Sequence, residues 1–246
     1  MSIGHAVVVG GSRGLGRVVV DRFLTRGMDV TVLSRRPSEP VGEDRIRHIA
    51  VDLESAESVR GVWEHVIEAG GPVRYLVLCQ RFRGDGDPWQ GEIQVGLNAS
   101  RDLIEGFKDH FTPEGDRAIG VVSSVYAEFT GSSQPVGYHV VKAGLNGMVR
   151  FYAGTLGRRG IRINAVMPLS YIKPESRAYY QSRTDLRAMY DEFVPLRRMG
   201  DADDSANALD FLCSDRAGFI NGQALFVDGG VSVVWPEEVA KRFNHL

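Results

Sequence analysis

Short runs of β-branched and aliphatic residues alternate along this 246-residue chain with longer stretches of helical apolar spacing. The short runs are HAVVVG (5–10), DVTVLS (29–34), RIRHIAV (45–51), YLVLC (75–79), RAIGVVS (117–123), IRINAVM (161–167) and ALFVD (224–228). Most are consecutive apolar runs rather than strict alternations, as strands are when both faces of a sheet are covered. The intervening stretches, among them GLGRVVVDRFLTRG, SAESVRGVWEHVIEAG, WQGEIQVGLNASRDLIEGFKDHF and DADDSANALDFLCS, read as amphipathic helices. Strand–helix alternation of this kind predicts an α/β fold: a doubly wound parallel sheet of about seven strands, helices on both faces. One domain is expected over residues 1–246, with a lid-like helical excursion at about 168–200, tyrosine-rich and bounded by Pro168 and Gly200.

The first strand runs straight into GGSRGLG (10–16) and then into a helix. Glycines at 10, 14 and 16 permit a tight turn, close approach of backbone to a pyrophosphate and close helix–strand packing. The amides and positive dipole end of the helix then face the phosphates. Strand before and helix after make the loop a dinucleotide site and the fold Rossmann-like. An NAD site would carry an acid at the end of the second strand; this chain has Ser34, Arg35 and Arg36. A guanidinium fork fits a 2′-phosphate, and Arg13 in the loop can approach the same group, so the expected cofactor is NADP(H). Solvated arginines are the alternative. Asp52, after the third strand, belongs either at the adenine edge or to turn chemistry before a helix capped by Ser55.

Composition excludes several function classes. A formal net charge of −2 gives no basic face for nucleic acid or anionic lipid. No apolar stretch reaches the roughly 20 residues of a membrane span, and MSIGHAVVVGG lacks the basic start of a signal peptide. Two cysteines, Cys79 and Cys213, support neither a disulfide framework nor a cysteine-rich metal site, and the scattered histidines have no ligand spacing. A cytoplasmic location and no metal are expected.

Tyr138 and Lys142 in GYHVVKAG lie one turn apart on one helix face. Upstream, AIGVVSS ends in Ser123 and Ser124 at the carboxyl edge of the sheet, where open α/β sheets bind ligands. Asn98 lies in the amphipathic stretch EIQVGLNASRDLI. Together with the glycine loop, IRINAVMP and GFINGQALFVDGG, these residues fall in the order of the short-chain dehydrogenase/reductase family, which the chain resembles over residues 3–232. The resemblance implies Tyr138 as general acid/base, with Lys142 holding the nicotinamide ribose and favouring the phenolate. It implies Ser124 on the substrate carbonyl and Asn98 anchoring a relay water. It further implies cofactor contacts at Ser12, Leu15, Leu53, Cys79 and Pro168, beside the glycine-loop residues, Ser34, Arg35 and Asp52. The serine–tyrosine interval is about one residue longer than the usual pattern, so Ser123 stays a candidate beside Ser124. A phenol titrates near 10 in water, and a neighbouring ammonium lowers the cost of its ionisation.

Two family signatures are absent. Leu78, Cys79, Gln80 and Arg81 stand where Asn-Asn-Ala-Gly is usual, and Leu169 follows Pro168 where a glycine is usual, with Lys173 near the usual threonine. The expected activity is reversible hydride transfer between NADP(H) and a carbonyl or secondary alcohol of a small molecule. A non-catalytic nucleotide-binding sensor or scaffold is the competing reading, and an enoyl reductase a third. Arg81, Arg83 and Lys173 either favour an anionic substrate or are solvated surface charge. Tyr171, Tyr179, Tyr180, Tyr190 and Phe193 either line a substrate pocket or pack a lid. The resemblance also implies a homotetramer or homodimer.

Overall fold

The structure is a computed structural model and describes residues 3–36 and 44–244; His245 lies outside them. Strands β1 (His5–Val9), β2 (Asp29–Ser34), β3 (Ile46–Ala50), β4 (Val73–Leu78), β5 (Arg117–Val122) and β6 (Ile161–Pro168) precede a two-residue pair, β7 (Tyr171–Ile172) and β8 (Gly200–Asp201). The last strand is β9 (Ala224–Val227). Seven of these form one parallel sheet in the order β3-β2-β1-β4-β5-β6-β9, while β7 and β8 pair with each other. The strand order reverses between β1 and β4, and their carboxyl ends therefore open a crevice there.

Helices α1 (Gly14–Thr25), α2 (Ala56–Val59), α3 (Val62–Gly70), α4 (Pro88–Glu92), α5 (Ala99–Phe107) and α6 (Val136–Leu156) connect the first six strands. Helices α7 (Arg177–Ser182), α8 (Thr184–Phe193), α9 (Ala202–Leu212) and α10 (Pro236–Phe243) follow. Two apolar layers sandwich the sheet: Val66, Leu103, Phe107, Val149 and Tyr152 on one side, Val19, Phe23, Ala206 and Leu209 on the other. Both faces of the central strands are covered, and even the polar Arg162 and Asn164 of β6 are buried and hydrogen-bonded.

Two helical stretches are broken where the sequence suggested continuity. SAESVRGVWEHVIEAG splits at Gly61, whose φ of +74° only glycine adopts readily. WQGEIQVGLNASRDLIEGF passes through a π-helical turn over Ile93–Asn98 between α4 and α5. Its buried face runs through Glu92, Val95, Gly96, Ala99 and Leu103. Gly96 meets α6 so closely that a Cβ there would lie 2.2 Å from Val141 Cγ1. Gly96→Ala should therefore lower stability by about 1–3 kcal/mol through overpacking. Adding Val141→Ala should recover part of that loss in a double-mutant cycle of chemical unfolding, and additive effects would show that the two helices do not meet there.

Candidate active site

The glycine loop is close-packed in a way that leaves no room for side chains at Gly10 and Gly16. A Cβ on Gly16 would lie 2.2 Å from the Gly10 carbonyl oxygen, and one on Gly10 would lie 3.1 Å from the Gln80 backbone. Gly10 and Gly14 also hold φ of +75° and +58°. The loop thus presses against the end of β4 while presenting the first turn of α1, whose cap residue Arg13 offers no side-chain bond to the free amides.

A cleft of about 2100 Å³ opens over this loop at the carboxyl edge of the sheet. Bordering it are Gly10, Ser12, Arg13, Gly14, Leu15 and Gly16 of the loop, then Ser34 and Arg35 after β2. Asp52 and Leu53 after β3, Cys79 after β4, and Ser124, Tyr138, Lys142 and Pro168 complete the far wall. Arg35 currently pairs with Glu54 at 3.0 Å in an exposed contact. Asp52 Oδ1 accepts from the Glu54 amide, so its carboxylate is engaged in the turn leading to α2, where the Ser55 hydroxyl caps the helix.

Lys142 carries the tightest constraint in the cleft. Its amine donates to the Val122 carbonyl at 2.7 Å, and its own carbonyl accepts from the Ser123 hydroxyl at 3.0 Å. Burial lowers its pKa to about 8; Glu92 opposes the fall and Arg81 adds to it. Ser123 is thereby spent on α6. Ser124 instead caps a short turn by accepting from the Tyr126 amide, and its hydroxyl also bonds the Tyr138 phenol. Burial pushes the Tyr138 phenol above the ordinary tyrosine value, while the Ser124 bond and the Arg81 charge draw it down. The Lys142 ammonium lies 5.4 Å from the Tyr138 ring centre and the Arg81 guanidinium 4.6 Å from it. His139 donates to the Pro135 carbonyl and accepts from the Gly131 amide, so both ring nitrogens are used locally.

Asn98 does not join the set. It sits off the buried stripe of its helix, and its amide donates to Gln94 Oε1 at 3.0 Å instead of reaching the cleft. The residue was expected there from family order; here it lies at the end of a π-helical turn over Ile93–Asn98. The residue of this helix that does approach Lys142 is Glu92, 3% exposed, with Arg81 Nε 4.0 Å from its carboxylate. Burial raises its pKa, against the pull of Arg81, Lys142 and Arg83. Its signal in the sequence was a carboxylate in the apolar phase of an amphipathic stretch.

Of the lid aromatics, Tyr171, Tyr180, Tyr190 and Phe193 border the cleft, while Tyr179 is 54% exposed and packs edge-on against Tyr180. The cleft walls carry seven cationic side chains against five carboxylates, although the whole chain is net negative. Gln80 donates to the Ser100 hydroxyl, and its Oε1 is a buried acceptor without a partner among the described residues. A positive cleft and a glycine-rich loop at a helix N-terminus fit an elongated anionic dinucleotide.

A family model described as enoyl-(acyl carrier protein) reductase matches residues 9–232. Among curated relatives, a 3-oxoacyl-(acyl-carrier-protein) reductase of Aquifex aeolicus is 26% identical over 242 residues, covering 92% of this chain and 96% of the relative. A probable galactose dehydrogenase of Rhizobium meliloti is 27% identical over 243 residues, covering 92% and 93%. Among solved structures, the ligand-free aldohexose dehydrogenase of Thermoplasma acidophilum superposes with a TM-score of 0.82 at 25% identity, covering 96% of both chains.

The depressed Lys142 value has a measurable consequence. Between about pH 8 and the ordinary lysine range, the native state holds fewer protons at this site than the unfolded chain, so this residue's contribution to stability rises with pH. The stability of the wild type relative to Lys142→Met should therefore increase across that window in urea unfolding. A difference independent of pH would show that the amine is not buried as a cation.

Proposed function

The chain belongs to the short-chain dehydrogenase/reductase family, and from that premise we propose that it is an NADP(H)-dependent oxidoreductase interconverting a carbonyl and a secondary alcohol of a small molecule. The observation that carries this reading is the meeting of Ser124, Tyr138 and Lys142 on the cleft wall opposite the glycine loop. When bound, the nicotinamide would supply the hydride to the carbonyl carbon or accept it from the alcohol. The glycine-loop amides and the α1 N-terminus would hold the pyrophosphate, and Arg13 would approach the 2′-phosphate. Arg35 would release Glu54 to take the 2′-phosphate, with Ser34 beside it. Asp52 and Leu53 would flank the adenine, and Cys79 and Pro168 the inner walls.

In reduction, the Tyr138 hydroxyl donates its proton to the substrate oxygen as negative charge grows there; in oxidation, the phenolate removes the proton from the alcohol. Ser124 donates a hydrogen bond to the same oxygen in the manner of an oxyanion-hole donor. Lys142 keeps positive charge beneath the tyrosine and presents its amine to a ribose hydroxyl. A sensor without catalysis would have no use for a buried lysine that burial, helped by Arg81, lowers to about 8. Enoyl reduction is disfavoured by the Tyr138–Lys142 interval of four residues and by Pro135 at the start of α6.

The substrate would carry a carboxylate or phosphate. Burial, Arg81 and Arg13 lower the pKa of Arg83; burial and Arg83 lower that of Lys173. An anion between them would relieve that repulsion. A homodimer or homotetramer at a cytoplasmic location completes the proposal; no helix is long and apolar enough among the described residues to cross a membrane.

NADPH oxidation with a panel of carbonyl compounds tests the reading. Tyr138→Phe should abolish turnover, by at least about 10²-fold, while NADPH still binds. Arg35→Ala should weaken NADPH binding and leave NADH binding nearly unchanged. Cofactor binding without turnover of any compound would favour the sensor, and equal loss for both cofactors would remove the 2′-phosphate assignment.

A further inference from the structure

The residues after β4 are the part of the cleft least like the family pattern, and the structure gives one of them a definite partner. Arg81 leaves β4 and lays its guanidinium 4.6 Å from the centre of the Tyr138 ring. The side chain is fixed from two other sides: it donates to Gln134 Oε1, and its Nε faces the buried Glu92 carboxylate at 4.0 Å. Gln134 precedes α6 by one residue beyond Pro135, and Glu92 ends α4, so three separate segments converge on this one guanidinium.

We propose that Arg81 is a positioning residue for Tyr138: stacked on the phenol and held by Gln134 and Glu92, it supplies a permanent positive charge that favours the phenolate. The inference rests on Tyr138 being the acid/base of the proposed reaction. A cation is attracted to the electron-rich face of an aromatic ring, and more strongly when the ring bears a phenolate. Lys142 is the other cation near the ring, and its burial means that it loses its proton at about pH 8. A guanidinium stays charged throughout that range. Arg81 is therefore the charge that persists where the lysine's does not.

The electrostatic surroundings are complete enough to assign the sign. Tyr138 is faced by Ser124 and Tyr126 from the segment after β5, by Arg81 after β4, by Glu92 of α4, by Lys142 and His139 of its own helix, and by Tyr171 of β7. Burial, Glu92 and Tyr126 disfavour the phenolate, while Ser124 and Arg81 favour it. Glu92 in turn faces Arg81, Lys142 and Arg83, which makes it the counter-charge that lets several cations share this wall. This placement also separates Arg81 from Arg83 and Lys173: the first is committed to the tyrosine, and the other two remain free to meet an anion.

Two readouts test the proposal, one of them independent of turnover. Tyrosinate absorbance is titrated in the wild type, Arg81→Met and Arg81→Lys, each against the same protein carrying Tyr138→Phe, so that the difference isolates Tyr138. Ionisation of Tyr138 should move to higher pH in Arg81→Met and return towards the wild type in Arg81→Lys. In parallel, the pH profile of kcat/KM for alcohol oxidation should shift its acidic limb upward in Arg81→Met, with about a tenfold loss near pH 7, and the same loss for neutral and anionic substrates. Unchanged titration overturns the proposal, as does a loss confined to KM for anionic substrates. If no substrate is turned over but the titration shifts, the oxidoreductase reading fails and the Arg81–Tyr138 interaction stands.

Discussion

Lys142 is 4% exposed, and two hydrogen bonds tie it to the end of β5: its amine donates to Val122, and its carbonyl accepts from Ser123. This double tie fixes the rotation of α6 about its axis and its height over the sheet. Tyr138, one turn earlier, is thereby set beside Ser124, the next residue after the tie. The close approach of α6 to the helix before it depends on the absence of a side chain at Gly96. Burying an ammonium costs several kcal/mol unless it is compensated, so the arrangement is maintained only by the packing around it. The apolar layer of Val141, Leu145 and Val149 against Leu103 and Phe107 provides that packing.

The same logic explains the glycine loop. Gly10, Gly16 and the backbone of Gln80 are in mutual contact, so the loop and the exit of β4 are one structural unit. Any change after β4 is felt at the cofactor cleft. That coupling is why the unusual Cys79-Gln80-Arg81 sequence matters: its side chains are cleft wall, with Gln80 turned to Ser100 and Arg81 to the tyrosine. Burial pushes the Cys79 thiol up to about 12, which leaves it a small apolar filler rather than a nucleophile.

The parallel sheet was legible because most of its strands are consecutive apolar runs, and β2 and β5 begin where those runs begin. The glycine loop and the Tyr138–Lys142 pair were legible because each depends on short, local spacing. Asn98 was expected from its place in the family order, which carries no information on side-chain direction within a π-helical turn. Glu92 sits in the apolar phase of the same stretch, but its partners Arg81 and Lys142 come from other elements that spacing does not bring together. Gly61 broke a helix that periodicity had joined, since a glycine within an amphipathic pattern is ordinarily tolerated. Ser124 was preferred with Ser123 as a lesser candidate, and the two differ in hydrogen bonding: Ser123 donates to the Lys142 carbonyl, while Ser124 accepts from the Tyr126 amide.

The cleft concentrates positive charge in a chain that is negative overall, and the two facts belong together. Low-dielectric walls focus the field of Arg13, Arg35, Arg81, Arg83 and Lys173 into the opening, while carboxylates elsewhere keep the protein's exterior from attracting polyanions indiscriminately. Within the cleft the cations are sorted by what holds them. Arg35 has an exposed acid beside it, Arg81 has a buried acid and an aromatic ring, and Arg83 and Lys173 repel each other with Glu175 as their nearby counter-charge. Cations of one sign and similar size thus differ in availability because of their neighbours. That gradation is what, in the proposed reaction, would let one wall serve a tyrosine, a cofactor phosphate and a substrate anion without their competing for the same side chain.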